Sequence, residues 1–105
     1  MCAASQIGGL NRQAMHELNH GNAANAEFLL FQALRAAKAQ SLMGFLPKLH
    51  NSLGLVFLLS GRPVLAVDAF SQALSLAEKH YAGATRFHTV LRRQLAQAQQ
   101  EAQGA

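Results

Sequence analysis

A chain of 105 residues, half of them hydrophobic and carrying a formal charge of +4, is long enough for one small domain with its own core. Its single cysteine, Cys2, excludes an internal disulfide framework and fits a reducing compartment. No apolar run approaches the roughly 18 residues that span a bilayer. The first residues show no basic-then-apolar leader, so the expectation is a cytoplasmic protein with no membrane partner.

Taken in order, the chain reads as five helices. From Ser5 to His20, Ile7, Leu10, Ala14, Met15 and Leu18 recur at helical spacing, with Ser5 as a candidate N-cap and Gly21-Asn22 as the stop. A second helix is predicted over about 23–42, burying Ala26, Phe28, Leu29, Leu30, Ala33, Leu34 and Ala37. Gly44 to Pro47 interrupts it, and Pro47 suits the first turn of a third helix that runs to Ser60. The fourth is expected from Pro63 to His80 and the fifth from about Thr85 to Ala102, with Phe87, Val90, Leu91, Leu95 and Ala98 along one side. β-Branched residues are few and no strand is predicted, which makes the fold class all-α.

Offsetting the chain against itself by 40 residues aligns Asn11 with Asn51, Leu18 with Leu58, Gly21 with Gly61 and Ala26 with Ala66. Gln32-Ala33-Leu34 falls on Gln72-Ala73-Leu74, Ala37 on Ala77, Leu30 on Phe70 and Ala14 on Gly54. The order Gly54, Phe57, Gly61, Ala66, Phe70, Ala73 resembles one tetratricopeptide repeat (TPR). The first copy keeps Ala14, Gly21, Ala26, Leu30 and Ala33 but has Glu17 where Phe57 stands, and no proline closes either copy. The resemblance implies a TPR-like α-α superhelix in a single domain over 1–105: repeat 1 at about 7–44, repeat 2 at about 47–82, and a capping helix at about 85–102. It also implies a scaffold that binds a peptide or helix of another protein, without catalysis.

In such stacks the first helix of each hairpin lines a concave groove. The resemblance therefore points to Lys48, Asn51, Leu55, Leu58 and Leu59, with Asn11 and Met15 as their counterparts in the first copy. His88, Leu91, Arg92 and Leu95 would extend that surface. The asparagines would hydrogen-bond a peptide backbone, and Lys48 with Arg92 would hold a carboxylate. An uncapped N-terminal face offers a second use, homo-oligomerisation.

Other chemistries find less in the sequence. The nine Lys and Arg residues are dispersed, with only Arg92-Arg93 adjacent, and no aromatics interleave a basic run, so nucleic acid is not an expected partner. His16-Glu17-Leu18-Asn19-His20 matches the H-E-x-x-H pattern, in which two histidines one turn apart grip zinc and the glutamate activates water. Gly21 ends that helix at once and no third ligand follows at a recognised spacing, so the expectation is no metal, no cofactor and no enzyme, with His16 and His20 as the metal candidates. Serines at 41, 52, 60, 71 and 75 lack any nucleophile-elbow or triad context.

Overall fold

The computed structural model describes residues 2–83 and 85–104. Five helices follow one another: α1 (Ala3–Asn19), α2 (Ala23–Ala39), α3 (Leu46–Leu59), α4 (Pro63–His80) and α5 (Arg86–Gly104), with a 3-10 turn at Met43–Phe45 before α3. Among the described residues there is no strand. α1 pairs with α2 and α3 with α4 as hairpins, α5 lies on α4, and α2 touches α3 to join the two hairpins. The molecule measures 44 × 34 × 20 Å. Its thin dimension is about two helix diameters, so the helices form two layers.

Every hairpin turn is closed by the same hydrogen bond, from the residue just beyond the turn back into the last turn of helix. Asn22 N–H donates to Glu17 O at 2.9 Å, and Arg62 N–H donates to Phe57 O at 2.8 Å. Gly21 at φ +82° and Gly61 at φ +77° supply the left-handed residue that this closure needs. The end of α2 makes the same bond, Leu42 N–H to Ala37 O at 2.8 Å, but with Ser41 at φ +55°. That closure stops α2 at Ala39, short of the expected Leu42. The start of α1 also differs from expectation. Ala3 and Ala4 are good helix formers and carry the helix upstream of Ser5, so Ser5 is not the cap, and Cys2 stands there without a side-chain bond.

The core is built from small residues at the helix crossings and large ones between them. Ala14, Ala26, Ala33 and Ala37 in the first hairpin and Ala66, Ala73 and Ala77 in the second are fully buried, together with Leu30 and Phe70. Ala26 and Ala66, Ala33 and Ala73, Ala37 and Ala77, and Leu30 and Phe70 are thus alike in burial. Gly54 faces Phe70 so closely that a Cβ there would lie 2.5 Å from the ring's Cδ1 and 2.8 Å from its Cζ. At the outer end, α5 buries Leu91, Ala98 and His88.

His88 also begins that helix. Thr85 Oγ1 accepts from His88 N–H at 3.2 Å, and Thr85 N–H donates to His88 Nδ1 at 3.1 Å. This is a capping box in which an imidazole takes the place usually held by glutamate or glutamine. Thr85 Oγ1 also lies 2.6 Å from His88 Nδ1. Among the described residues no helix is long and apolar enough to cross a membrane.

Candidate functional site

α2 and α4 both flank α3 yet hardly meet each other, and the gap between them is a groove of about 360 Å³. Leu34, Leu53, Phe57 and Ala69 form its floor. Phe31 stands on one wall and Leu65 on the other, 41% and 47% exposed. Phe28, one turn before Phe31 and 62% exposed, continues the apolar wall into an adjoining hollow that Phe31 and Arg35 share.

The two ends of the groove differ chemically. At one end Arg62 Nη2 meets Glu27 Oε1 at 2.8 Å, tying the α3–α4 turn to α2, and the guanidinium sits 4.9 Å above the Phe57 ring. That end is closed and neutralised. Toward the other end α2 presents Arg35 and Lys38, α3 presents His50, and α4 presents Asp68 and Gln72. Asp68 Oδ2 accepts from Gln72 Nε2 at 2.9 Å. Burial, and then the Lys38 ammonium, hold the His50 pKa below its ordinary value, with Asp68 pulling the other way.

The residues singled out from the sequence fall elsewhere. On α3 the direction of His50, Leu53 and Phe57 is well over a quarter-turn from that of Asn51, Leu55 and Leu58, at about 100° per residue. Asn11 Oδ1 accepts from Ser52 Oγ at 2.6 Å, a bond that ties α1 to α3. Met15, Leu55 and Leu58 are half-buried against the core, and Asn51 Oδ1 is buried with no hydrogen-bond partner. Lys48 lines a hollow with Leu42, Phe45 and Tyr81; Arg92 lines another with Glu78, Tyr81 and His88. Tyr81, whose hydroxyl donates to Gly44 O at 2.9 Å, is common to both hollows. Arg92 Nη2 is 3.6 Å from Glu78 Oε2.

Three expectations are corrected. Leu91 is fully buried and His88 nearly so, because α5 packs on α4 through them; Leu91 lines no open surface and His88 only edges the hollow beside Arg92. Leu59, placed with the concave residues, is exposed at the last turn of α3 and lines neither the groove nor the hollows named above. Phe28, assigned to the buried face of α2, points outward: it lies two residues from both Ala26 and Leu30, roughly 200° around the helix from each. The signal was present in the sequence. Ala26, Leu30, Ala33 and Ala37 already complete a buried stripe at spacings of four, three and four, leaving Phe28, Phe31 and Arg35 as a separate one.

His16 and His20 have ring centroids 4.3 Å apart, and His20 Nδ1–H donates to His16 O at 2.8 Å. Glu17 Oε1 accepts from Asn25 Nδ2 at 3.0 Å. Among the described residues no group of three or more His, Cys, Asp or Glu side chains is placed to hold a metal ion. The exposed residues of α1 are all polar, Arg12, Gln13 and His16 among them, while the large exposed apolar side chains lie on α2, at Met43, and on α3 and α4. Comparison with protein-family models, with curated proteins and with solved structures gives no match to this chain.

Proposed function

We propose that the chain is a non-catalytic, TPR-like interaction module that docks a segment of another protein. The observation that carries the reading is the groove between α2 and α4, an apolar floor with Phe28, Phe31 and Leu65 left in water beside it. Exposed aromatic and aliphatic side chains gathered around an apolar trough are costly in solvent, and covering them is the ordinary use of such a patch. The forty-residue correspondence of buried alanines and turn glycines supports the repeat architecture, and the all-helical frame gives the groove fixed walls. The concave residues Asn11, Met15, Lys48, Asn51, Leu55, Leu58 and Arg92 are the weaker candidate. Asn11 is already hydrogen-bonded and Arg92 already faces a carboxylate.

The test is selection of displayed helical peptides against the protein, with a Phe31→Ser/Leu65→Ser variant as counter-target. Both positions are substantially exposed, so the variant keeps its helical spectrum and melting behaviour. Peptides that bind the protein and lose the double variant support docking in this groove. Peptides that bind both equally, or lose instead Leu55→Ser, move the site or remove it.

A further inference from the structure

We propose that the groove takes an acidic amphipathic helix from a different protein, with its apolar stripe between Phe31 and Leu65 and its carboxylates against Arg35 and Lys38. The inference rests on the docking function just proposed and adds the chemistry of the partner.

Charge argues for the acidic end. Among the described residues Arg35 and Lys38 make no ion pair, whereas Arg62, at the closed end, is paired with Glu27. Among the described residues Asp68 is the one carboxylate lining the groove, opposite two cations and an imidazole. An incoming carboxylate thus meets a net positive end, and an incoming apolar side chain meets the floor.

The acid inventory argues for a foreign partner. The chain has five acidic residues. Glu27 and Glu78 are in ion pairs, Glu17 and Glu101 accept from Asn25 and Gln97, and Asp68 belongs to the groove itself. No helix of a second copy carries an acidic stripe to meet Arg35 and Lys38. Two copies of a chain with net charge +4 also repel.

The floor argues for a helix rather than an extended strand. Leu34, Leu53, Phe57 and Ala69 offer no donor or acceptor, and the helices present no unpaired backbone edge. A segment seated there must satisfy its own backbone hydrogen bonds, which a helix does and an extended chain does not. From Phe31 to Lys38 the groove runs about 10 Å along α2, so roughly two turns of the partner are engaged.

The experiment uses synthetic peptides of about 15 residues with Leu at helical spacing. One set carries glutamates clustered at one end, a second has glutamine at those positions, and a third has lysine. Fluorescence anisotropy at about 0.05 M and about 0.3 M salt reads their affinity for the protein and for Arg35→Glu/Lys38→Glu. The glutamate set is expected to bind about tenfold tighter than the glutamine set at low salt, with the gap narrowing at high salt. In the charge-reversed variant the preference passes to the lysine set. Equal binding of the glutamate and glutamine sets overturns the acidic partner while leaving docking intact. No binding by any set, with the selection above also empty, removes docking itself. Sedimentation that shows a concentration-dependent dimer abolished by Phe31→Ser gives the groove to a second copy and overturns the proposal. So does tighter binding of a single-stranded nucleic acid than of the glutamate peptides.

Discussion

Replacing Gly54 with alanine sets two calculable effects against each other. In the middle of α3 alanine is favoured over glycine by about 1 kcal/mol of helix propensity. The new methyl would, however, fall 2.5 Å from Cδ1 and 2.8 Å from Cζ of Phe70, a side chain with no exposed surface. Overpacking of this kind costs about 1–3 kcal/mol, and a ring that must move bodily rather than swing a flexible tip belongs at the upper end. The net expectation is a loss of roughly 1–2 kcal/mol. In a domain of this size that lowers the melting temperature by roughly 5–15 °C. The first hairpin supplies the control, because Ala14 and Leu30 occupy the matching positions and both are fully buried. Gly54→Ala combined with Phe70→Leu rebuilds that smaller pair. Phe70→Leu alone leaves a void and costs about 1–2 kcal/mol. The double variant should be more stable than the sum of the single changes predicts, by about 1 kcal/mol or more in a denaturant-unfolding cycle. If Gly54→Ala raises stability by the helix-propensity amount, or if the two changes simply add, the close approach of α3 to Phe70 is wrong.

The other predictions use different parts of the molecule. Ala66→Leu puts three extra carbons at a fully buried crossing and should cost about 1–3 kcal/mol by thermal unfolding, whereas Val64→Ser on the exposed side of the same helix should change little. Ser41→Gly should stabilise by roughly 0.5–1 kcal/mol, since the left-handed conformation at φ +55° is unstrained for glycine. His88→Ala removes a buried ring and half a capping box and should cost at least about 1 kcal/mol, with faster amide exchange in the first turn of α5. His88→Gln retains an acceptor at that position and should cost less. For His50 the folded pKa lies below the ordinary value of 6.5, so the unfolded chain binds more protons and His50 favours the folded state fully only above that value. Stability is lost as pH falls from there through the folded pKa, and His50→Gln should flatten that part of the pH–stability profile. The groups facing His50 are Arg35 and Lys38 from α2 and Asp68 and Gln72 from α4. A bound acidic helix adds carboxylates to that set, so its affinity should rise as pH falls through the same window, and a flat profile would detach His50 from the binding event.

Much of the architecture was legible in the residues, and the reasons are local. Gly21 and Gly61 mark left-handed closures that few other residues adopt comfortably, and Pro63 marks the first turn of α4, whose ends match the expected Pro63 to His80. The end of α2 was misjudged because Ser41 adopts a glycine-like conformation without glycine's signature. The capping box at α5 was missed because histidine is a rare stand-in for the usual reach-back acceptor. The surface was harder to read than the core. Lys48 and Arg92 were grouped on the strength of a resemblance, but they line separate hollows that meet only at Tyr81. Hydrophobicity alone also failed at Phe28. Its neighbours Leu29 and Leu30 are half-buried and buried, and the unbroken run Phe28-Leu29-Leu30-Phe31 hides the two rings that turn outward.

The groove follows from the same packing that makes the hairpins. Small residues at 14, 26, 33 and 37, and again at 54, 66, 73 and 77, draw each pair of helices together. Between hairpins the contact is made chiefly by α3 seated against α2, so α2 and α4 are left on either side of α3 with nothing above it. A deeper residue on the α2 or α4 wall would fill that gap, but Leu34 and Ala69 are spent on the floor, while Phe31 and Leu65 stand at the rim. The Glu27–Arg62 pair then spans the trough at one end. With both partners partly exposed, it contributes at most about 1 kcal/mol, too little to account for leaving Phe28, Phe31 and Leu65 exposed around it. What it does do is consume the cation nearest the closed end, which leaves Arg35 and Lys38 as the positive charge along the groove. A partner helix with its acids at one end therefore has a single favourable direction in the groove.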